Sequence, residues 1–254
     1  MIYRLIVYST FFLFSCFNLN SISNINYYTF YDGNIPVILI VSHDGSLIIN
    51  DIPTRTDSTD KFNIKNDLNT GIITKDIYSN ILNSHHKKPY ILINDVHRKY
   101  VDMNRFYKYA YEEELSKDIY NDFHDILKNK IQSVLDIYGN VYVFDIHGFS
   151  KNNLDIVIST RKHTTVNVKT LDHLLYSSNS FKNNLSKNNF NVNINDPFYG
   201  GYIIKTIFDN FGNSKVSAMQ VELGKEIRFN KLKQQLFIKI FSEYILSIGN
   251  SNNV

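Results

Sequence analysis

Residues 141–148 read VYVFDIHG. Six of these positions, Val141 to Ile146, form a strand-length run of mostly β-branched and aromatic side chains, and His147 follows at once. The run is apolar on nearly every position rather than every second one. A strand of that kind is covered on both faces, as in a parallel sheet flanked by helices. The same grammar recurs upstream, where Pro36 to Ser42 reads PVILIVS and is followed directly by His43. Tyr90 to Asn94, Asn153 to Ser159 and Ser217 to Leu223 read as further strands. Helical patterns fall between them: Thr74 to Asn83, a long amphipathic stretch from Glu112 to Tyr138 stopped by Gly139, Val168 to Leu185, and a closing helix from Phe229 to Ile248 with Gly249 as its stop. Apolar strands alternating with helices predict an α/β, three-layer sandwich around a mostly parallel mixed sheet. The Asn- and Ser-rich stretch Ser177 to Asn195 reads as a loop.

The chain has 254 residues, which favours one domain with a substantial core, expected over residues 23–250. Its net charge is only +3 and no stripe of lysine and arginine stands out, so no nucleic-acid partner is expected. Cys16 is the only cysteine, which excludes an internal disulfide and a cysteine-rich zinc module. A bound metal would have to use His, Asp or Glu. Arg4 followed by the apolar run Leu5 to Phe17 reads as a signal peptide over residues 1–22. That run is short for a membrane span, so the mature chain is expected outside the cytoplasm without a stable span.

In open α/β sheets, ligands bind beyond the carboxyl ends of the strands. His43 and His147 each follow a strand directly, and Glu222 lies near the end of SAMQVE. Two imidazoles and a carboxylate make a zinc ligand set with one position left for water. A second, metal-free carboxylate would move the proton, and arginines would neutralise developing and resident negative charge. Read on their own, these histidines could equally be hydrogen-bonded core residues. Asp102 reads as a salt-bridge partner of a nearby arginine, and Asp145 as an orienter or strand-end cap.

The order of these elements resembles the N-formylglutamate amidohydrolase family, a distant relative of the zinc carboxypeptidases. The resemblance rests on His43-Asp44-Gly45, Thr59-Asp60, the segment Arg98 to Arg105, Asp145-Ile146-His147, Tyr199-Gly200-Gly201-Tyr202 and Gln220-Val221-Glu222. It implies a zinc-carboxypeptidase-like fold and one zinc ion, held by His43, Asp60 and His147, with Asp57 as the other candidate carboxylate. Glu222 would be the general base and acid, and Arg98 would polarise the scissile carbonyl. Asn104 and Arg105 would grip the substrate's carboxylate, with Arg161 and Tyr202 as further substrate contacts. The implied reaction is hydrolysis of an amide, N-acyl or peptide, in a small carboxylate-bearing substrate. A carboxypeptidase or cell-wall amidase is the enzymatic alternative, and a non-catalytic secreted binding protein the other. The chain departs from the family pattern at Asp44, where a small residue is usual, and at Leu223-Gly224-Lys225, where Asn-Arg is usual.

Overall fold

The computed structural model describes residues 26–56, 62–151 and 153–249. The signal-peptide segment, Asp57 and Asp60 lie outside the described residues. Seven strands form one sheet: β1 (Tyr28–Tyr31), β2 (Val37–Val41), β3 (Tyr90–Asn94), β4 (Val141–Gly148), β5 (Ile156–Ser159), β6 (Val192–Ile194) and β7 (Val216–Leu223), in the order β1-β3-β2-β4-β7-β5-β6. The central strands β3, β2, β4 and β7 are parallel. β1 runs antiparallel to β3, and β5 runs antiparallel to β7. The sheet is thus mixed with a parallel centre, as the doubly buried strands predict.

The helices are α1 (Thr70–His85), α2 (Glu114–Tyr138), α3 (Val168–Leu171), α4 (Phe181–Lys187), α5 (Tyr202–Phe211), α6 (Lys225–Phe229) and α7 (Lys231–Gly249). Strand side chains alternate between faces, so the sheet has two cores. Leu39, Val41, Phe144 and Val221 pack with Ile73 and Ile77 of α1 and Phe241 of α7. Ile38, Ile40, Val143 and Ala218 pack with Phe123 and Leu127 of α2 and Ile203 of α5. In α2, Ile119, Phe123, Leu127, Ile131 and Val134 share one buried face at helical spacing. Gly139 ends α2 in the left-handed conformation (φ 77°), its N–H donating to Leu135 O.

The segment 168–185 differs from the single helix expected. α3 passes into a π turn (Asp172–Tyr176), the chain breaks, and α4 begins with Ser180 as its cap, accepting from Asn183 N at 3.2 Å. Serines at 177, 178 and 180 favour such a break, because their hydroxyls compete for backbone N–H groups. The expected loop 177–195 therefore contains α4 and the edge strand β6. Asp145 and His147 on β4 continue the alternation of Val143, and Gln220 and Glu222 on β7 continue that of Ala218. All four polar groups thus stand on the α2/α5 face, at the carboxyl end of the parallel strands.

Candidate metal centre

His43 leaves β2, His147 closes β4, and Asp67 sits three residues before α1. Their side chains converge. His43 Nδ1 is 3.1 Å from His147 Nδ1, Asp67 Oδ2 is 3.0 Å from His147 Nδ1, and Asp67 Oδ2 is 3.4 Å from His43 Nδ1. All three residues are buried, and they form a group of His, Cys, Asp or Glu able to hold a metal ion among the described residues.

The far edge of each ring settles what the near edge offers. His43 Nε2 lies 2.7 Å from Asp102 Oδ1, and His147 Nε2 lies 2.8 Å from Asp145 Oδ2. An ionised carboxylate only accepts, so each Nε2 carries a proton, and in the neutral ring each Nδ1 presents a lone pair. The two Nδ1 atoms and the Asp67 oxygen then face one another, and either a proton on an Nδ1 or a metal ion can stand between them. Such an arrangement is stable only around a positive charge. Carboxylates bonded to the outer nitrogens are also what fixes the tautomer of metal-bound histidines. Ligand atoms about 2.0–2.1 Å from a tetrahedral zinc stand roughly 3.3 Å apart, which the three separations match.

The proton affinities point the same way. Burial pulls the His147 imidazole down, but Asp145, Asp67 and Glu222 outweigh it and raise it well above the ordinary value. Burial pushes the Asp67 carboxyl up, but its bonds to His147 and His43 reverse that and hold it well below the carboxylate range.

Around the triangle, Arg98 donates to Asp102 through Nε and Nη2, each at 2.9 Å, and its Nη1 reaches Lys65 O at 3.3 Å and Asp67 Oδ1 at 3.7 Å. Arg98, expected to polarise the substrate carbonyl, contacts two carboxylates of the centre. Asn104, also buried, accepts from Ile203 N at 2.8 Å and brings its Nδ2 to 3.0 Å from His147 Nε2. Arg105 is partly exposed, its Nε 3.9 Å from Asp102 Oδ2. Arg161 donates to Gly200 O at 3.1 Å and lies over the Tyr199 ring. Tyr202 packs its ring against Phe106 and His124.

Glu222 is paired in register with His147, so both side chains leave the sheet on the same face. Gln220 Nε2 donates to Glu222 Oε1, and Gln220 Oε1 accepts from Gly201 N at 2.7 Å. Burial pushes the Glu222 carboxyl up; His147 opposes this and Asp67 adds to it.

Residues 107–227, which include Asp145, His147 and Glu222, match the family model for N-formylglutamate amidohydrolase. Over that stretch, a little under half of its length, the chain is similar to the N-formylglutamate amidohydrolase family. The fold is similar to that of solved structures: N-formylglutamate amidohydrolase from Ralstonia eutropha JMP134 superimposes with a TM-score of 0.68 at 15% identity, over 89% of this chain and 98% of that one. A gene product of Agrobacterium tumefaciens superimposes with a TM-score of 0.62, also at 15% identity, over 87% of this chain and 93% of that one. No curated protein matches the sequence. Among the described residues no helix is long and apolar enough to cross a membrane.

Asp67, which joins His43 and His147 in this group, is a residue that the sequence reading did not single out; the expected carboxylates Asp60 and Asp57 lie outside the described residues. Asp51, Asp57, Asp60 and Asp67 all lie in one stretch between β2 and α1, and Thr59-Asp60 resembled the family wording more closely. The available signal was position. Asp67 stands ahead of Thr70, and its carbonyl accepts from Thr70 N and Thr70 Oγ1 at the start of α1, so the helix fixes its backbone as a loop residue's is not fixed.

Proposed function

We propose that this protein is an amidohydrolase that holds one zinc ion with His43, Asp67 and His147 and hydrolyses the amide bond of a small N-acyl substrate bearing a carboxylate. The observation that carries this reading is the meeting of three potential ligand atoms at 3.0, 3.1 and 3.4 Å, with the outer nitrogens of both rings held by carboxylates. Zinc bound there would acidify a water molecule and polarise the scissile carbonyl.

The chain's own groups do the remainder. Glu222 takes a proton from the attacking water and returns it to the leaving nitrogen; a buried carboxyl with an upward-shifted pKa suits both halves of that transfer. Gln220 and the Gly201 N–H aim Glu222 by the relay of hydrogen bonds that ends on its Oε1. Asp102 and Asp145 hold the imidazoles in one tautomer. Arg98 keeps Asp102 ionised and in place, a positioning role rather than contact with substrate. Arg105 supports the substrate's carboxylate, being the arginine of the Arg98 to Arg105 segment that keeps solvent access.

The test is metal analysis of the purified protein together with Glu222→Gln, assayed on a panel of N-acyl amino acids that includes N-formylglutamate. Stoichiometric zinc in both proteins, with turnover lost in the variant by about 100-fold or more, is expected. A fully active E222Q protein, or a wild type that hydrolyses the substrates with no metal bound, overturns the reading.

A further inference from the structure

Asp44 departs from the family pattern, in which a small residue follows the first histidine. In this structure its carboxylate bridges two loops. Oδ1 accepts from Asn69 N at 3.2 Å and Oδ2 accepts from Gly71 N at 2.7 Å. Helix α1 has no cap of its own: Asn69, at the N-cap position, is left-handed (φ 72°) and makes no side-chain capping bond, and the first turn has no acidic residue. Asp44 therefore supplies from another segment what a helix start requires, an acceptor for the N–H groups that have no partner within the helix. Gly71 makes the approach close, since a Cβ there would meet Asp44 Oδ2 at 3.1 Å.

The bridge lies across the metal centre. Asp44 follows His43, and the residues it grips follow Asp67. The same two segments are tied by Asp67 N donating to His43 O at 2.8 Å and Asn66 Nδ2 donating to Gly45 O at 2.6 Å. Asn69 adds a bond from its Nδ2 to Arg228 O at 3.0 Å. Among the links between these two segments, the Asp44 carboxylate is the one that holds the backbone of the helix start two to four residues beyond Asp67.

We propose that Asp44 is a positioning residue for the metal ligand Asp67, docking the start of α1 onto the segment that carries His43. This rests on the assignment of His43, Asp67 and His147 as the zinc ligands. Its readout is metal affinity. Zinc affinity and release rate are measured by competition with a chromophoric chelator for wild type, Asp44→Ala, Asp44→Asn and the control Ile77→Val. The control trims a buried side chain of the same helix away from the bridge. D44A is expected to bind zinc roughly 10- to 100-fold more weakly, the usual effect of losing a group that orients a ligand, and to release it faster. D44N keeps one carbonyl acceptor and is expected to fall between. I77V is expected to lower stability and leave zinc affinity unchanged. Amide exchange at Asn69 and Gly71 in the metal-free proteins should quicken in both Asp44 variants and not in the control. If D44A does not fold, D44N decides. Wild-type affinity in D44N and D44A, or an equal loss in I77V, overturns the positioning role while leaving the zinc reading intact. A wild type that binds no zinc overturns both.

Discussion

Asp102→Asn is the substitution for which the structure specifies most. Asp102 is fully buried, and its two oxygens serve four donors: His43 Nε2 at 2.7 Å, Asn104 N at 3.0 Å, and Arg98 Nε and Nη2 at 2.9 Å each. An asparagine has one acceptor and one donor end. Turned one way it sets its NH₂ against the Arg98 fork; turned the other, against the His43 N–H. Either orientation leaves two donors facing a donor. Arg98, 5% exposed, also loses its charge partner and keeps only Lys65 O at 3.3 Å and Asp67 Oδ1 at 3.7 Å. Breaking a buried ion pair from one side typically costs about 3–5 kcal/mol. The residual contacts place this case near the lower end, about 3 kcal/mol, or roughly 6–12 °C in Tm for a chain of this size. Zinc affinity should fall about 10- to 100-fold as His43 loses its orienting carboxylate.

The pH dependence follows from the same carboxyl. Burial raises its pKa, but Arg98 and His43 overcome this and hold it well below the carboxylate range. A depressed folded-state pKa gives stability that is complete above the unfolded value, near 4, and is lost as pH falls through the folded one. The gap between wild type and D102N should therefore be constant from pH 7 to about 5 and close only in stronger acid. Urea unfolding with chelator present, repeated across pH, measures it. A D102N protein within about 0.5 kcal/mol of wild type at pH 7, the range of an ordinary surface change, would refute the reasoning.

Three further outcomes are expected. Asp67→Ala should abolish stoichiometric zinc binding while Asp60→Ala retains it, read by metal analysis after dialysis; the reverse result would return the ligand role to Asp60. Arg105→Ala should raise KM by roughly tenfold, about the 1.4 kcal/mol of one charge-assisted hydrogen bond, with kcat much less affected; an unchanged KM removes the carboxylate-gripping role. His124 is pulled down to about 4 by burial, which outweighs its bond to Met103 O. Because the unfolded chain takes up that proton first, wild type should lose about 1.4 kcal/mol per unit as pH falls from 6.5 towards 4, and His124→Gln should lose less over that interval in pH-dependent unfolding.

What the sequence made legible was whatever local pattern controls. Strands buried on both faces show as unbroken apolar runs, so the parallel centre of the sheet could be read, and with it the strand-end placement of His43 and His147. Edge elements carry no such mark. β1 and β6 are half-exposed, mixed in character and short, and α5 follows a glycine turn that gave no sign of the helix beyond. Asp67 was hidden for another reason. Its place beside the two histidines depends on where α1 docks, a tertiary contact, and no spacing rule along the chain encodes that. Arg98 was legible as a site residue but not as a brace, because the two uses demand the same side chain and differ only in what it meets.

Eight consecutive residue pairs join β4 to β7, from Val141 opposite Val216 to Gly148 opposite Leu223. His147 and Glu222 occupy one rung near the end of that ladder. Peptide hydrogen bonds, not the surrounding side chains, thus set the spacing between His147 and Glu222. Neither can drift without the other, and a register slip would turn one of them to the opposite layer.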